Sequence, residues 1–167
     1  MVDAGLTLQL TGAERLQQAL ASAPEIVRQE LRVFSHAAVM HLKAEVQDRT
    51  PTAMGTLRAS IHADAHSNPQ GVLGVVGTPL AYAVPVELGT RPHFPPVQAL
   101  EDWVRQKLGL SGKEARSVAF AIARKISKVG TQGHFMFRDA FEANADEMQR
   151  QFDQTVSRIV ARIGGPA

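Results

Sequence analysis

The stretch from Pro24 to Arg49 constrains the fold more than any other. Val27, Leu31, Phe34, Ala38 and Leu42 recur every three or four residues, the spacing that lays one apolar stripe along an α-helix. Pro24 suits the first turn of such a helix, where its missing N–H is not needed. Thr50-Pro51 ends it, because the residue before a proline avoids helical angles. A helix this long needs partner surfaces. Hydrophobic residues make up 44% of the 167 and aromatic ones only 5%, so the core must be built mostly from Ala, Val, Leu and Ile. There is no cysteine, which excludes a disulfide framework, a thiolate zinc site and a cysteine nucleophile. That lack fits assembly in a reducing cytoplasm.

Upstream, Leu6, Leu8 and Leu10 alternate with Thr7 and Gln9 as in a short strand. Thr11-Gly-Ala-Glu14 has the form of a capping box, so a first helix carrying Leu16 and Leu20 starts there and breaks near Ala23-Pro24. Downstream, Leu57, Ala59, Ile61 and Ala63 alternate with Arg58, Ser60, His62 and Asp64, which predicts a strand. A turn cluster at Ser67–Gly71 leads to a second strand over Val72–Gly77. Tyr82, Val84, Val86 and Leu88 predict a third strand. Three further helices follow. The first covers Pro96–Leu108, with Val97, Leu100, Trp103 or Val104, and Leu108 inward. The second covers Lys113–Val129. The third covers Phe137–Ile163, where Phe141, Ala145, Met148, Phe152, Val156, Ile159 and Ile163 keep a near-heptad spacing. The expected class is α+β: an antiparallel meander of about 3–4 strands packed on a long helix, with more helices in the C-terminal half. Residues 1–163 read as one domain and 164–167 as a frayed tail.

Two surfaces stand out. Gly89 permits a backbone angle that other residues resist, and Pro92, Pro95 and Pro96 stiffen the chain beyond it. Glu87, Gly89, Thr90, Arg91, Pro92, His93 and Phe94 form either a presented contact loop or a packed connector. Glu87 reads as a strand-end acceptor or as a partner for Arg91. On the second of the later helices, Lys113, Arg116, Arg124 and Lys128 gather opposite the apolar side formed by Ala115, Val118, Ala119, Ile122, Ile126 and Val129, with Phe120 among the cations. That face is either an ordinary solvated surface or one that meets phosphates or an acidic partner.

Chemistry finds little support. His62 and His66 lie about 13 Å apart along a strand, and His36 and His41 point roughly 140° apart around a helix. Neither pair clamps a metal ion. His93 and His134 have no HExxH-type partner. No nucleophile elbow is present. Gly112-Lys113 is a fragment of a phosphate loop, but Lys107 and Glu114 stand where that motif needs Gly and Ser or Thr. No catalytic residue, metal or cofactor is expected. A net charge of +2 lacks the basic excess of a free DNA-binding protein. No apolar run is long enough to span a membrane, and MVDAGLTLQL, with Asp3 and no basic cluster, is not a secretory signal.

Four pieces occur in order. The first is the long helix closed by Thr50-Pro51-x-x-x-Gly55-x-Leu57-Arg58-x-Ser60-Ile61. The second is Tyr82-Ala83-x-x-Val86-Glu87-x-Gly89-Thr90-Arg91-Pro92-His93. The third is Ala121-Ile122-Ala123-Arg124-Lys125-Ile126 with Gly130-Thr131. The fourth is Phe135-x-Phe137-x-x-Ala140-Phe141. Together they resemble the gene-product-ten-type neck proteins of long-tailed bacteriophages, also described as minor tail or tail-completion proteins, over roughly residues 25–145. The departures are Met54, where Thr before the glycine is usual, and Pro85 within the expected third strand.

The resemblance implies a virion component with no active site, assembled in the host cytoplasm and located at the head–tail junction. It implies a homo-oligomeric ring, sixfold or twelvefold, touching neighbouring connector and tail proteins. A ring needs two different patches per subunit. The Glu87–Pro96 loop would be one of them. The terminal-helix stripe would cover the sheet of its own subunit or of a neighbour. The Lys113–Lys128 face would line the DNA channel, in loose non-specific contact. Two other classes compete: a small DNA-binding or nucleic-acid-processing protein using the basic helix, and an enzyme centred on Glu87 and His93.

Overall fold

A computed structural model of the chain describes residues 13–51, 55–68 and 71–164. The expected Leu6–Leu10 strand, Thr11 of the capping box and residues 165–167 lie outside the described residues, as do the side chains of Leu16 and Leu20. The elements run α1 (Ala13–Arg49), α2 (Thr56–Ser60), β1 (His62–Asn68), β2 (Gly71–Gly77), α3 (Ala83–Leu88), β3 (Gly89–Thr90), α4 (Val97–Leu108), α5 (Gly112–Val129), β4 (Thr131–Gln132) and α6 (Met136–Gly164). The class is α+β, with two small antiparallel ladders, β1–β2 and β3–β4.

Helix α1 continues through Pro24 instead of breaking there. An internal proline costs about 3 kcal/mol through one lost backbone bond and a ring clash. Here it follows Ala19, Ala21 and Ala23, among the strongest of helix formers, and the helix beyond it is held by α6 from Gln29 onward.

The expected Tyr82–Leu88 strand is helical, and the expected Leu57–Asp64 strand is helical at its start, with only its last residues, from His62, in β1. Leu57 and Ile61 are both buried while Ala59 is exposed, so the segment packs at a spacing of four, as the single turn of α2, rather than two. Gly55 starts that turn in the left-handed region at φ 74°. The Tyr82–Leu88 segment forms α3. Its alternating residues Val84 and Leu88 are 61% and 64% exposed, whereas Ala83 and Val86, three apart, face the core. Pro85 decides the matter: it cannot donate to a ladder, but it fits the first turn of a helix.

The main core joins Val46 of α1, Leu57, Ile61, Ala83, Met136 and Ala140, with Val76, Leu80, Val86 and Phe137 packed around them. Burying a side chain such as Ile61 or Met136 stabilises by about 1.5–3 kcal/mol. The β1–β2 hairpin lies on α1, where Gly74 leaves room for Val39. Helix α6 runs along α1. Its buried residues are Met136, Ala140, Thr155 and Ile159, while Phe141, Phe152 and Val156 of the expected stripe remain partly exposed and Ala145 is exposed. The stripe is buried only in part, at Ile159 with Met148 and Ile163 half-buried, because polar residues interrupt it. Thr155 bonds the Gln151 carbonyl, and Asn144 bonds the Ala140 carbonyl, Glu45 and His41.

Helices α4 and α5 form a separate helical hairpin with its own core of Val104, Ala115 and Ala119. Val104 rather than Trp103 is the buried alternative, and Leu108 and Val129 are exposed. Gly109, at φ 67°, caps α4.

Candidate assembly interface

The helical hairpin joins the body through a short clasp. Gly89 pairs with Gln132 and Thr90 with Thr131. The two threonine hydroxyls lie 3.0 Å apart, and Thr131 N–H donates to Thr90 Oγ1. The amides of His134 and Phe135 donate to the carbonyls of Val86 and Glu87. Gly89, Gly130 and Gly133 all sit where a Cβ would overlap backbone across this clasp, and Gly89 and Gly130 also carry positive φ. Phe135, at φ 48°, occupies the left-handed region that a bulky residue resists. Its ring is covered by the Arg138 guanidinium at 3.7 Å.

Glu87 is committed inside this clasp rather than to Arg91. Its carboxylate accepts the N–H groups of Phe137 and Arg138, both at 3.0 Å. It therefore caps α6 from a different element, satisfying donors that a helix start leaves open and placing negative charge at the positive end of the dipole. The remaining loop residues Arg91, Pro92, His93 and Phe94 are exposed. His93 Nδ1 lies 3.0 Å from the Arg91 carbonyl.

Lys113, Arg116, Phe120, Arg124 and Lys128 all emerge on the outer face of α5, with Lys125 beside them. Among the described residues none of these cations makes an ion pair. Glu114 is the only acid on the helix. The structure brings the two expected surfaces together. Phe94 of the loop meets Phe120 of the basic face edge-on, with ring centroids 6.0 Å apart. Loop and basic helix are thus one continuous surface on the projecting hairpin.

One feature went unseen in the sequence. An open groove of about 570 Å³ separates the body from α4, walled by Leu57, Tyr82, Val86, Ala99, Trp103 and His134 among others. Trp103, the only tryptophan, was the available signal, but its position on α4 alone does not reveal what it faces across the gap. Of the histidines, His66 pairs with Asp64 at 3.0 Å and His41 with Asn144 at 2.8 Å. Among the described residues no group of three His, Asp or Glu side chains has the geometry to hold a metal ion, and no helix is long and apolar enough to cross a membrane. No protein-family model, curated protein or solved structure matches the chain.

Proposed function

We propose that this chain is a structural component of a bacteriophage neck, a non-enzymatic subunit that assembles with copies of itself, in sixfold or twelvefold rings, around the DNA path between head and tail. One observation carries the reading. The first, second and fourth of the sequence pieces that resemble neck proteins converge on a single packed junction. Thr50 Oγ1, which donates to the Val46 carbonyl at 2.6 Å, lies 3.4 Å from Met136 Sδ. Leu57, Ile61, Ala83, Val86, Phe137 and Ala140 share one core. Glu87 caps α6, and Thr131 of the third piece closes the clasp on Thr90. These residues build a joint that holds out a helical hairpin, which suits a role in assembly. The exposed Arg91–Phe94 loop and the basic α5 face on that hairpin then serve as the contact surface for connector and tail proteins, with the cations turned to DNA phosphates in the lumen.

Deleting the gene from its phage is the direct test. Filled heads and finished tails that stay unjoined are the expected result. Normal, infectious particles would overturn the proposal. Electron microscopy of the purified protein adds an independent readout, with closed rings expected. The DNA-binding alternative is favoured by the α5 cations, which form no ion pair among the described residues. It predicts tight binding of free duplex that falls steeply with salt.

A further inference from the structure

The β1–β2 hairpin has two edges, and they differ. Ala65 N–H is taken by Asp64 Oδ1 at 2.8 Å, so Ala65 turns its amide away from β2. Ala65 is paired with Gly74. In an antiparallel ladder such a pair points both residues' amides outward. Gly74, and with it Val72 and Val76, therefore present N–H and C=O groups along the free edge of β2, and among the described residues no other backbone group bonds to them. The β1 edge is guarded by a charged side chain. The β2 edge, Gly71–Gly77, has no charge and no proline, the usual protections of an edge strand.

Beside this edge lies an apolar groove of about 310 Å³. Leu31, Phe34 and Ala38 of α1 floor it, Met148 and Phe152 of α6 wall it, and Gly74 borders it on the hairpin side. An open edge next to an apolar trench fits one more strand with apolar side chains on one face. Leu6, Leu8 and Leu10 supply that pattern.

We infer that residues 6–10 of a second copy of this chain add to the β2 edge and seat their leucines in the groove. The same chain cannot serve itself. Gly74 sits beside Val39, and 26 residues of continuous helix place Val39 about 39 Å from Ala13. Five residues separate Leu8 from Ala13 and span at most about 18 Å. The contact joins two different patches, and we take it head-to-tail, from copy to copy around a ring, rather than exchanged within a pair. It rests on the self-assembly part of the reading above and names the contact.

The absence of cysteine makes the test clean. A tagged Leu8→Cys chain and an untagged Met148→Cys chain, each full length, are mixed and treated with a short bis-maleimide. A tagged–untagged heterodimer is expected. Its absence, or links only between two Met148→Cys chains, overturns the inference. In the double variant, the product should be a ladder of linked chains; a purely intramolecular link at low concentration overturns it. Leu8→Asp should abolish the oligomer in light scattering while helical circular dichroism is unchanged, and an intact oligomer counts against the contact. These measurements on purified protein bear on the strand contact alone, and the gene-deletion particles bear on the neck role alone.

Discussion

Glu87 and the clasp glycines show how single residues hold the projecting hairpin in place. The Glu87 carboxylate reaches two N–H groups at the start of α6, so Glu87→Ala should cost about 1–2 kcal/mol, within the range of lost caps. Glu87→Gln keeps one oxygen acceptor and should cost less. A lowered denaturant midpoint in that order is the check, and equal midpoints for wild type and Glu87→Ala would remove the cap from the account. The same geometry makes Glu87 a poor probe of partner binding, because its loss disturbs the joint itself. Arg91→Ala with His93→Ala, both exposed, probes the surface without touching the cap. The sequence singled out Glu87 as conspicuous but could not show its partners, which lie fifty residues away along the chain.

At the scale of elements, α1 and α6 are joined by a line of polar contacts outside the core. Glu30 meets Arg162 and Arg158 of α6, and Glu45, which Arg49 pairs within α1, accepts from Asn144 of α6. Arg162, then Arg158, holds the Glu30 carboxyl below its ordinary value of 4.5, and Arg49 does the same for Glu45. A depressed folded-state value means the contribution is fully present above about 4.5 and disappears as the pH falls through the folded value. Acid should therefore loosen the helix pair below the ordinary carboxylate range. Arg162→Ala should flatten that acid dependence, measured as the midpoint of urea unfolding against pH. An identical profile in the variant would show that this pair contributes nothing to it. Long helices were legible in the sequence because an apolar repeat over many turns admits one reading. The Leu57–Ile61 and Tyr82–Leu88 segments were not, since over five to seven residues a period of two and a period of four select overlapping positions.

For the whole molecule, the decisive feature is that the α4–α5 hairpin has its own small core and is tied to the body chiefly through a clasp of two paired residues per strand. Regions with few buried contacts open at lower free energy than the main core. Amides of α4 and α5 should exchange with deuterium well before those of central α1, and Val104→Ala should speed them further while sparing α1. Uniform exchange across both would deny the hairpin its independence. Its basic face is testable separately. Arg124→Glu with Lys128→Glu should abolish weak, salt-sensitive retention of duplex DNA and leave self-assembly unchanged; unaltered retention would place DNA elsewhere. By itself the sequence determined the α+β class, the span of the later helices, the absence of thiol chemistry and the two faces of α5, because each follows from local composition or a sustained period. Only the tertiary structure decided that Glu87 caps a distant helix, that the proline loop and the basic helix share one surface through Phe94 and Phe120, and that β2 has an edge to which no backbone group bonds among the described residues. Those facts depend on which segments meet in space, and nothing in local periodicity specifies a meeting between residues far apart in the chain.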